Sequence, residues 1–209
     1  MNPLELLRSA PLFQQAPLAI AINVVVYVCF LLIAFSVVAD FAAYHRRSDI
    51  VVQRRSWVET GSMAAFAVAY YLAVRFRLLE VLVPKPWRGV VLVVGIALML
   101  AGSVVNVTGR LYLKSNWANQ IRIYEGHWLV TGGPFGFVRH PLYASLIWMF
   151  VGGSLVYGSV AGLLLTFGVF VPMMYVRAKK EDALLAEAFG EAHEAYRRRT
   201  GMLFPRLPR

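Results

Sequence analysis

Long apolar runs, uncharged except for Glu59 in the second, alternate with short basic stretches along most of the chain. Three runs occupy residues 17–39, 57–74 and 89–107, and Asp40 is expected to end the first. Two shorter runs follow, over 141–157 and 160–176, and only Gly158 and Ser159 separate them. Because about 20 apolar residues let a helix cross roughly 30 Å of hydrocarbon, the pattern predicts about five transmembrane helices. The last two should form a tight helical hairpin.

The segments between and after these runs carry weaker signals. Residues 78–83 read as an apolar continuation of the second run, and 111–125 are too polar to cross lipid and are predicted to lie at the interface. From Arg177 to Arg199 apolar residues recur at helical spacing, which predicts an amphipathic helix on the bundle or the bilayer surface. The expected fold is an all-α polytopic membrane bundle that forms a single domain over residues 1–209.

Composition agrees with a membrane protein. Hydrophobic residues make up 59% of the chain and charged residues 15%, with a mean hydropathy of +0.60. A soluble domain has about 45–50% apolar and about 25% charged residues. Cys29 is the single cysteine and lies inside an apolar run, which excludes an intrachain disulfide and a thiolate metal cluster.

The net charge of +10 indicates topology. Arg8, Arg75, Arg77, Lys85 and Arg88 fall on one side of a five-span arrangement, and the other sixteen Lys and Arg residues fall on the opposite side. Basic residues accumulate on the cytoplasmic side, so we expect the N-terminus outside and the C-terminus in the cytoplasm. Arginine-rich composition favours a bacterial inner membrane, and we expect no nucleic-acid partner.

Residues 126–143, GHWLVTGGPFGFVRHPLY, join a turn-rich loop to the fourth apolar run. Pro141 suits the first position of a helix, which places Arg139 and His140 at a helix N-terminus. Such an end carries unpaired N–H groups and attracts anions. This stretch therefore predicts a pocket for a small charged molecule at the membrane edge. The alternative is an ordinary turn whose arginine binds lipid phosphate.

A second polar group lies just after the fifth run. Arg177 and Glu181 are four residues apart and share a helix face. A hairpin of the last two spans would bring both residues to the membrane surface that holds Arg139 and His140. An ordinary ion pair at the end of a helix is the alternative interpretation.

These two stretches resemble the superfamily of isoprenylcysteine carboxyl methyltransferases and phospholipid methyltransferases. The sequence from His127 to Tyr143 is similar to its pattern His-x-Leu-Val-x-x-Gly-Pro-Tyr followed by Arg-His-Pro-x-Tyr. The downstream half is similar in its order of an arginine, an acidic pair, a Phe-Gly and a tyrosine before a final proline: Arg177, Glu181, Asp182, Phe189, Gly190, Tyr196 and Pro205. The resemblance covers about the last hundred residues. Phe135, Ser145 and Asp182 depart from the usual Tyr, Gly and Glu.

The resemblance implies an integral membrane methyltransferase that uses S-adenosylmethionine and no metal. Its catalytic part would be residues 108–209, after three N-terminal spans in 17–107. The acceptor would be lipophilic or small and partitioned into the membrane, with a carboxylate, amine or thiol to be methylated. Arg139, His140 and Glu181 are the implied catalytic residues. The implied cofactor-binding residues are His127, Leu129, Val130, Gly133, Pro134, Phe135, Arg139, His140, Tyr143, Arg177 and Glu181.

Two other functions remain open from the sequence. Membrane sterol or enone reductases that use NADPH share the Arg-His-Pro-x-Tyr ending, although this chain is short and its early spans carry few polar groups. A non-catalytic membrane protein that binds lipid through its basic face is the third hypothesis.

Overall fold

The computed structural model describes residues 17–44, 50–54, 60–117, 121–124 and 126–206. The predicted start of the second span, 57–59, lies outside these ranges. The helices are α1 Pro17–Tyr44, α2 Thr60–Arg75, α3 Lys85–Leu113, α4 Pro141–Tyr157, α5 Val160–Leu165 and α6 Val171–Arg199, and the strands are β1 Ile50–Arg54 and β2 Ile121–Tyr124. Short 3-10 turns occupy Lys114–Asn116 and Gly133–Gly136, and a π-helical turn, Thr166–Phe170, joins α5 to α6.

The predicted helical membrane bundle is confirmed. Three elements are long and apolar enough to cross a membrane, namely α1, α3 and the continuous rod formed by α5, the π turn and α6. Helix α4 is a shorter apolar helix of 17 residues. Helix α2 has only 16 described residues, fewer than the roughly 20 that a perpendicular crossing needs, so a crossing by α2 stays a prediction.

Two helices extend beyond their apolar runs. Helix α1 continues past Asp40 to Tyr44, and α3 continues past Val107 to Leu113. The reason is that Asp40 forms an ion pair with Arg110 of α3, and both side chains are largely buried. Each charge neutralises the other, so neither helix has to end where its charged residue occurs.

The predicted apolar continuation of α2 is wrong. The chain turns at residues 76–79, where Arg77 and Leu79 have positive φ values of 53° and 51°. Glu80 then forms an isolated β-bridge with Ser159. Residues 78–83 therefore cover the end of the hairpin and do not lengthen the helix.

The predicted hairpin is present. Gly158 ends α4 in the left-handed region at φ 61°. The Ser159 side chain accepts a hydrogen bond of 3.0 Å from the Gly162 amide and caps α5. A side chain at Gly158 would place its Cβ 2.6 Å from the Val81 carbonyl oxygen, so the turn also needs a residue without one.

The fifth span and the first part of the amphipathic segment form one continuous helix up to Phe189, although the sequence predicted two elements. Pro172 lies in the first turn of α6, immediately after the π-helical turn. A proline removes one backbone hydrogen bond, and the wider turn before it accommodates this loss without ending the helix. Gly190 has non-helical backbone angles, φ 50° and ψ −122°, and kinks α6, so that residues 191–199 form a separate helical segment.

Helices α3 and α4 make the closest helix pair in the described bundle. A Cβ at Gly152 would lie 2.5 Å from the Gly95 carbonyl oxygen, and a Cβ at Gly102 would lie 2.7 Å from the Ser145 carbonyl oxygen. Small residues let helix backbones approach in a membrane, where van der Waals packing replaces the hydrophobic effect. This contact holds the start of α4 firmly against α3.

Strands β1 and β2 form a short antiparallel ribbon that the sequence did not predict. Ile50 pairs with Tyr124 and Arg54 with Ile121, with a bulge between Ile50 and Val52. Ile123 is buried against Leu184 of α6. The ribbon therefore covers α6 beside the polar groups described next. A segment predicted to be interfacial became a strand because its partner lies about 70 residues away in sequence, beyond any local signal.

Candidate active site

A cavity of about 480 Å³ lies between the N-terminal helices and the hairpin. Polar side chains line one end of it, including His127, His140, Arg177 and Glu181. Apolar side chains of α1 and α2 line the other end, together with Phe150 and Phe170 of the hairpin. The cavity thus joins a charged compartment to an apolar one.

Asp182 is the centre of the buried polar cluster beside this cavity. It accepts hydrogen bonds from Arg139 Nε at 3.0 Å and His140 Nε2 at 2.8 Å, and Arg139 Nη2 lies 2.9 Å from it. His193 Nε2 lies 3.6 Å from the same carboxylate. The predicted convergence of the Arg-His-Pro corner with α6 is therefore found, and Asp182 makes the strongest contacts. Sequence analysis counted Asp182 in the acidic pair of the family pattern, as a departure from the usual Glu, but did not predict it as a site residue.

Glu181 belongs to a second group that faces the cavity. Its Oε2 accepts a hydrogen bond of 2.7 Å from the Tyr143 hydroxyl, which itself accepts one of 2.8 Å from Arg177 Nε. His140 Nδ1 lies 3.6 Å from the same Oε2. Within the described part of the chain, no side chain donates to Glu181 Oε1. Its side chain is 36% exposed, against 10% for Asp182, so Glu181 is the accessible carboxylate.

Arg139 is fully engaged by the protein. Its Nη1 donates to the Thr200 carbonyl at 2.5 Å, and its other nitrogens bind Asp182. Its backbone N–H donates a hydrogen bond to the carbonyl oxygen of Gly201, and the backbone N–H of His140 donates one to the carbonyl oxygen of Met202. Residues 200–206, which we call the C-terminal strap, therefore occupy the helix mouth, that is, the N-terminus of α4 where the sequence predicted an anion site. Main-chain carbonyls supply the negative dipoles that an anion would otherwise supply.

The charge state of His140 follows from its neighbours. Burial alone would lower the pKa of His140, but its hydrogen bonds to Asp182 and Glu181 and their negative charges raise it from 6.5 to about 9. His140 is therefore a cation at neutral pH, and its two ring nitrogens point to two carboxylates.

This raised pKa predicts a loss of stability at alkaline pH. Below the unfolded pKa of 6.5 the histidine is protonated in both states, and its ion pairs contribute fully. As the pH rises through about 9, the folded protein loses that proton and the contribution disappears. We expect the melting temperature in detergent, measured between pH 6 and pH 10, to fall more steeply for the wild type than for His140→Asn. Equal slopes for the two proteins would contradict this assignment.

The glycine-rich loop supplies some of its predicted residues to the cavity and not others. His127, Leu129, Val130 and Phe135 line it. Gly133 and Pro134 do not appear in its wall. A Cβ at Gly133 would lie 2.6 Å from the ring of Tyr112, so this glycine allows the loop to pack on α3.

Several residues at the cavity carried no recognisable sequence signal. Arg110 and Trp117 line it, with the Arg110 guanidinium carbon 5.9 Å from the Trp117 ring centre. Asn116 also lines it and donates to the Trp128 carbonyl at 2.8 Å. Ser145, a departure from the family pattern, is instead buried against α3, where it accepts a hydrogen bond from Asn106.

The apolar end of the cavity was also not predicted. Residues from α1 and α2 line it: Phe30, Ile33, Ala34, Val37, Met63, Ala64 and Ala67. Helix α1 packs on α3, whereas α2 packs on α5 and the π turn, and α1 and α2 barely touch each other. The first two helices therefore line the cavity while packing on different partners, and their lining includes the small exposed side chains of Ala34 and Ala64.

Comparison with known proteins agrees with this arrangement. The phospholipid methyltransferase family matches residues 90–192. A protein-S-isoprenylcysteine O-methyltransferase of Schizosaccharomyces pombe is 32% identical over 84 residues, 40% of this chain and 36% of the relative. The cobalt-zinc-cadmium resistance protein CzcN of Cupriavidus metallidurans is 37% identical over 109 residues, 52% of this chain and 48% of the relative. The chain thus matches about a third to a half of the length of these curated relatives.

The family match covers α4 and most of α3, the glycine-rich loop and the part of α6 that carries the acidic pair. These elements supply most of the polar end of the cavity. Residues 90–192 of this helical membrane bundle therefore match the phospholipid methyltransferase family, and this match and the Schizosaccharomyces pombe relative support the superfamily of isoprenylcysteine and phospholipid methyltransferases that the motifs resemble.

Proposed function

We propose that this chain transfers a methyl group from S-adenosylmethionine to a lipophilic or small membrane-partitioned acceptor at the cytoplasmic membrane surface. The observation that carries the proposal is the cavity, which joins an accessible carboxylate, Glu181, to an apolar compartment between α1 and α2. One end suits a polar donor, and the other suits a lipid-like acceptor. The family match supports the reaction class.

The polar end fits the chemical groups of the proposed donor. S-adenosylmethionine carries an ammonium, a carboxylate, a ribose diol and a methyl group on a positively charged sulfur, which a nucleophile can take. Glu181 Oε1 would accept hydrogen bonds from the ammonium or the diol. The rings of Tyr143 and Trp117 line the same cavity and would attract a cation through their faces. Leu129 and Val130 offer apolar contact for the adenine.

The geometry changes the roles that we assign to Arg139 and His140. Arg139 is bound by Asp182 and the C-terminal strap, so we propose that it positions the helix mouth and does not bind a ligand directly. His140 is protonated at neutral pH and stacks on Tyr143 with ring centres 5.5 Å apart. A protonated imidazole cannot accept a proton, so His140 would orient Glu181 and Tyr143. Glu181 is then our candidate to accept a proton from an amine or thiol acceptor.

We propose that the acceptor enters from the bilayer between α1 and α2. Ala34 and Ala64 line the cavity and are exposed, so small side chains of both helices border this opening. A carboxylate or thiolate acceptor would need no base, because it is already a nucleophile. Methyl transfer is then accelerated mainly by alignment of the two reactants and exclusion of water. The charge distribution supports a site on the cytoplasmic side of the membrane, and the arginine-rich composition favours a bacterial inner membrane.

Binding calorimetry on the purified full chain tests the proposal. We expect S-adenosylmethionine to bind with one-to-one stoichiometry and NADPH to give no heat. Binding of NADPH without S-adenosylmethionine would overturn the proposal in favour of a reductase. Membranes incubated with methyl-labelled donor should then yield a labelled lipid-extractable product, which mass spectrometry would identify.

A further inference from the structure

A second cavity, of about 430 Å³, lies at the C-terminal end of α6. Arg139 contributes to its wall as well as to that of the first cavity, so this guanidinium stands between the two. We call the second cavity the arginine cup. Its charged and polar lining consists mainly of Arg139, Glu194, Arg197, Arg198, Thr200 and Arg206.

The cup has an excess of positive charge. Arg139 is neutralised by Asp182, and Arg197 Nε lies 3.1 Å from Glu194. Among the described residues, no carboxylate lies within ion-pair distance of Arg198 or Arg206. Two guanidinium groups beside one concave surface attract an anion, and the fork of each matches phosphate oxygens.

The arginine cup is also held in shape by the backbone. Arg206 Nη1 donates to the Arg198 carbonyl at 2.7 Å, which fixes the end of the strap against the last turn of α6. Thr200 N–H and Oγ1 both bond to the Tyr196 carbonyl. The cup is thus formed by the helix end and the strap together, and it is not a set of loose surface arginines.

Exposed aromatic rings flank the cup. Phe137 is 72% exposed and Phe204 is 58% exposed. They lie on the two chain segments that the Val138–Gly201 bridge joins. Exposed phenylalanines together with arginines are typical of surfaces that lie in the membrane interface, where the apolar rings enter the boundary between headgroups and acyl chains. A site for a soluble anion would not explain why these two rings are exposed to solvent, whereas a site for a lipid headgroup would.

We propose that the arginine cup binds the phosphate of an anionic phospholipid headgroup, with Phe137 and Phe204 placed in the adjoining interface. The bound phosphate would lower the repulsion between Arg198 and Arg206 and would stabilise the strap. Because the strap accepts the hydrogen bonds of Arg139 and His140, the lipid would also support the wall of the main cavity. This site is separate from the proposed methyl transfer and requires no donor.

Native mass spectrometry of the purified full chain in a mild detergent tests the proposal. Phosphatidylglycerol and phosphatidylcholine would be added separately, without any methyl donor, and inorganic phosphate would then be added to the complex with phosphatidylglycerol. We expect retention of phosphatidylglycerol by the wild type and roughly 30-fold weaker retention by the double variant Arg198→Gln, Arg206→Gln. The matched control is Lys179→Gln, Arg199→Gln, which removes two exposed charges from α6 outside the cup and should bind like the wild type.

Three outcomes would overturn the proposal. Equal retention of phosphatidylcholine would show that charge is not recognised. Inorganic phosphate that displaces the lipid at equal concentration would show a soluble-anion site. If the control variant retains phosphatidylglycerol as weakly as the cup variant, the loss reflects the overall charge of the helix and not a specific site. The wild type and both double variants should melt at similar temperatures in lipid-free detergent, because every substituted side chain is exposed.

Discussion

Asp182→Asn is expected to lower the free energy of unfolding by about 3–5 kcal/mol. The change leaves Arg139 and protonated His140 buried without their shared carboxylate, and an amide cannot neutralise either charge. For a chain of this length each kcal/mol corresponds to roughly 2–4 °C, so the melting temperature should fall by roughly 6–20 °C. Thermal melts of the variant and the wild type in detergent at neutral pH would measure this fall in melting temperature.

Glu194→Gln is the matched control for this change. It also removes the carboxylate of an ion pair on α6, but Glu194 and Arg197 are about half exposed. Exposed pairs contribute about 0–1 kcal/mol, so the control should melt within a few degrees of the wild type. If Asp182→Asn melts like Glu194→Gln, the polar cluster does not stabilise the fold in the way described.

Glu181→Gln should instead act on ligand binding. The glutamine keeps the shape of the side chain and can still accept a hydrogen bond from Tyr143, but it removes the negative charge that faces the cavity. A hydrogen bond to a charged group contributes about 1.5–3 kcal/mol, so we expect binding of S-adenosylmethionine to weaken roughly 10- to 150-fold. Calorimetry on the variant and the wild type would measure this ratio.

Glu191→Gln is the control for the binding experiment, because Glu191 is an exposed acid on the same helix that does not line the cavity. It should bind the donor like the wild type. Unchanged binding by Glu181→Gln would remove Glu181 from the proposed donor site. A folded Glu181→Gln protein that has lost binding would separate the role of Glu181 from that of Asp182.

The contrast between these two adjacent acids shows where sequence reasoning stops. Spacing from Arg177 pointed to Glu181, since residues four apart share a helix face. Adjacent helical residues are rotated by about 100° from each other, so the two acids point in different directions and share only His140, which lies between them. In the structure Asp182 faces Arg139 and Glu181 faces the cavity and Tyr143. That choice depends on how α6 is rotated against the loop, which no local pattern encodes.

The strap and the apolar end of the cavity show the same limit. The N–H groups of Arg139 and His140, just before Pro141, were predicted to be unpaired at a helix end. In the structure they donate hydrogen bonds to the carbonyl oxygens of Gly201 and Met202, about 60 residues away in sequence. Likewise, α1 and α2 both line the cavity although they pack on different partners. The first two spans carry no motif, and only their positions make them part of the site.

The sequence by itself determined that the chain is a helical membrane bundle, that α4 and α5 form a hairpin, and that the Arg-His-Pro corner meets Arg177 and Glu181. These features are local: in lipid every backbone polar group must be satisfied within its own segment, which makes apolar runs into helices, and a two-residue turn leaves only antiparallel neighbours. The tertiary structure alone decided that Asp182 joins Arg139 to His140, that Gly133 packs on Tyr112, and that the strap fills the helix mouth. Each of these depends on the rotation of a helix or on a contact between distant segments, and the pattern of apolar and polar residues specifies neither.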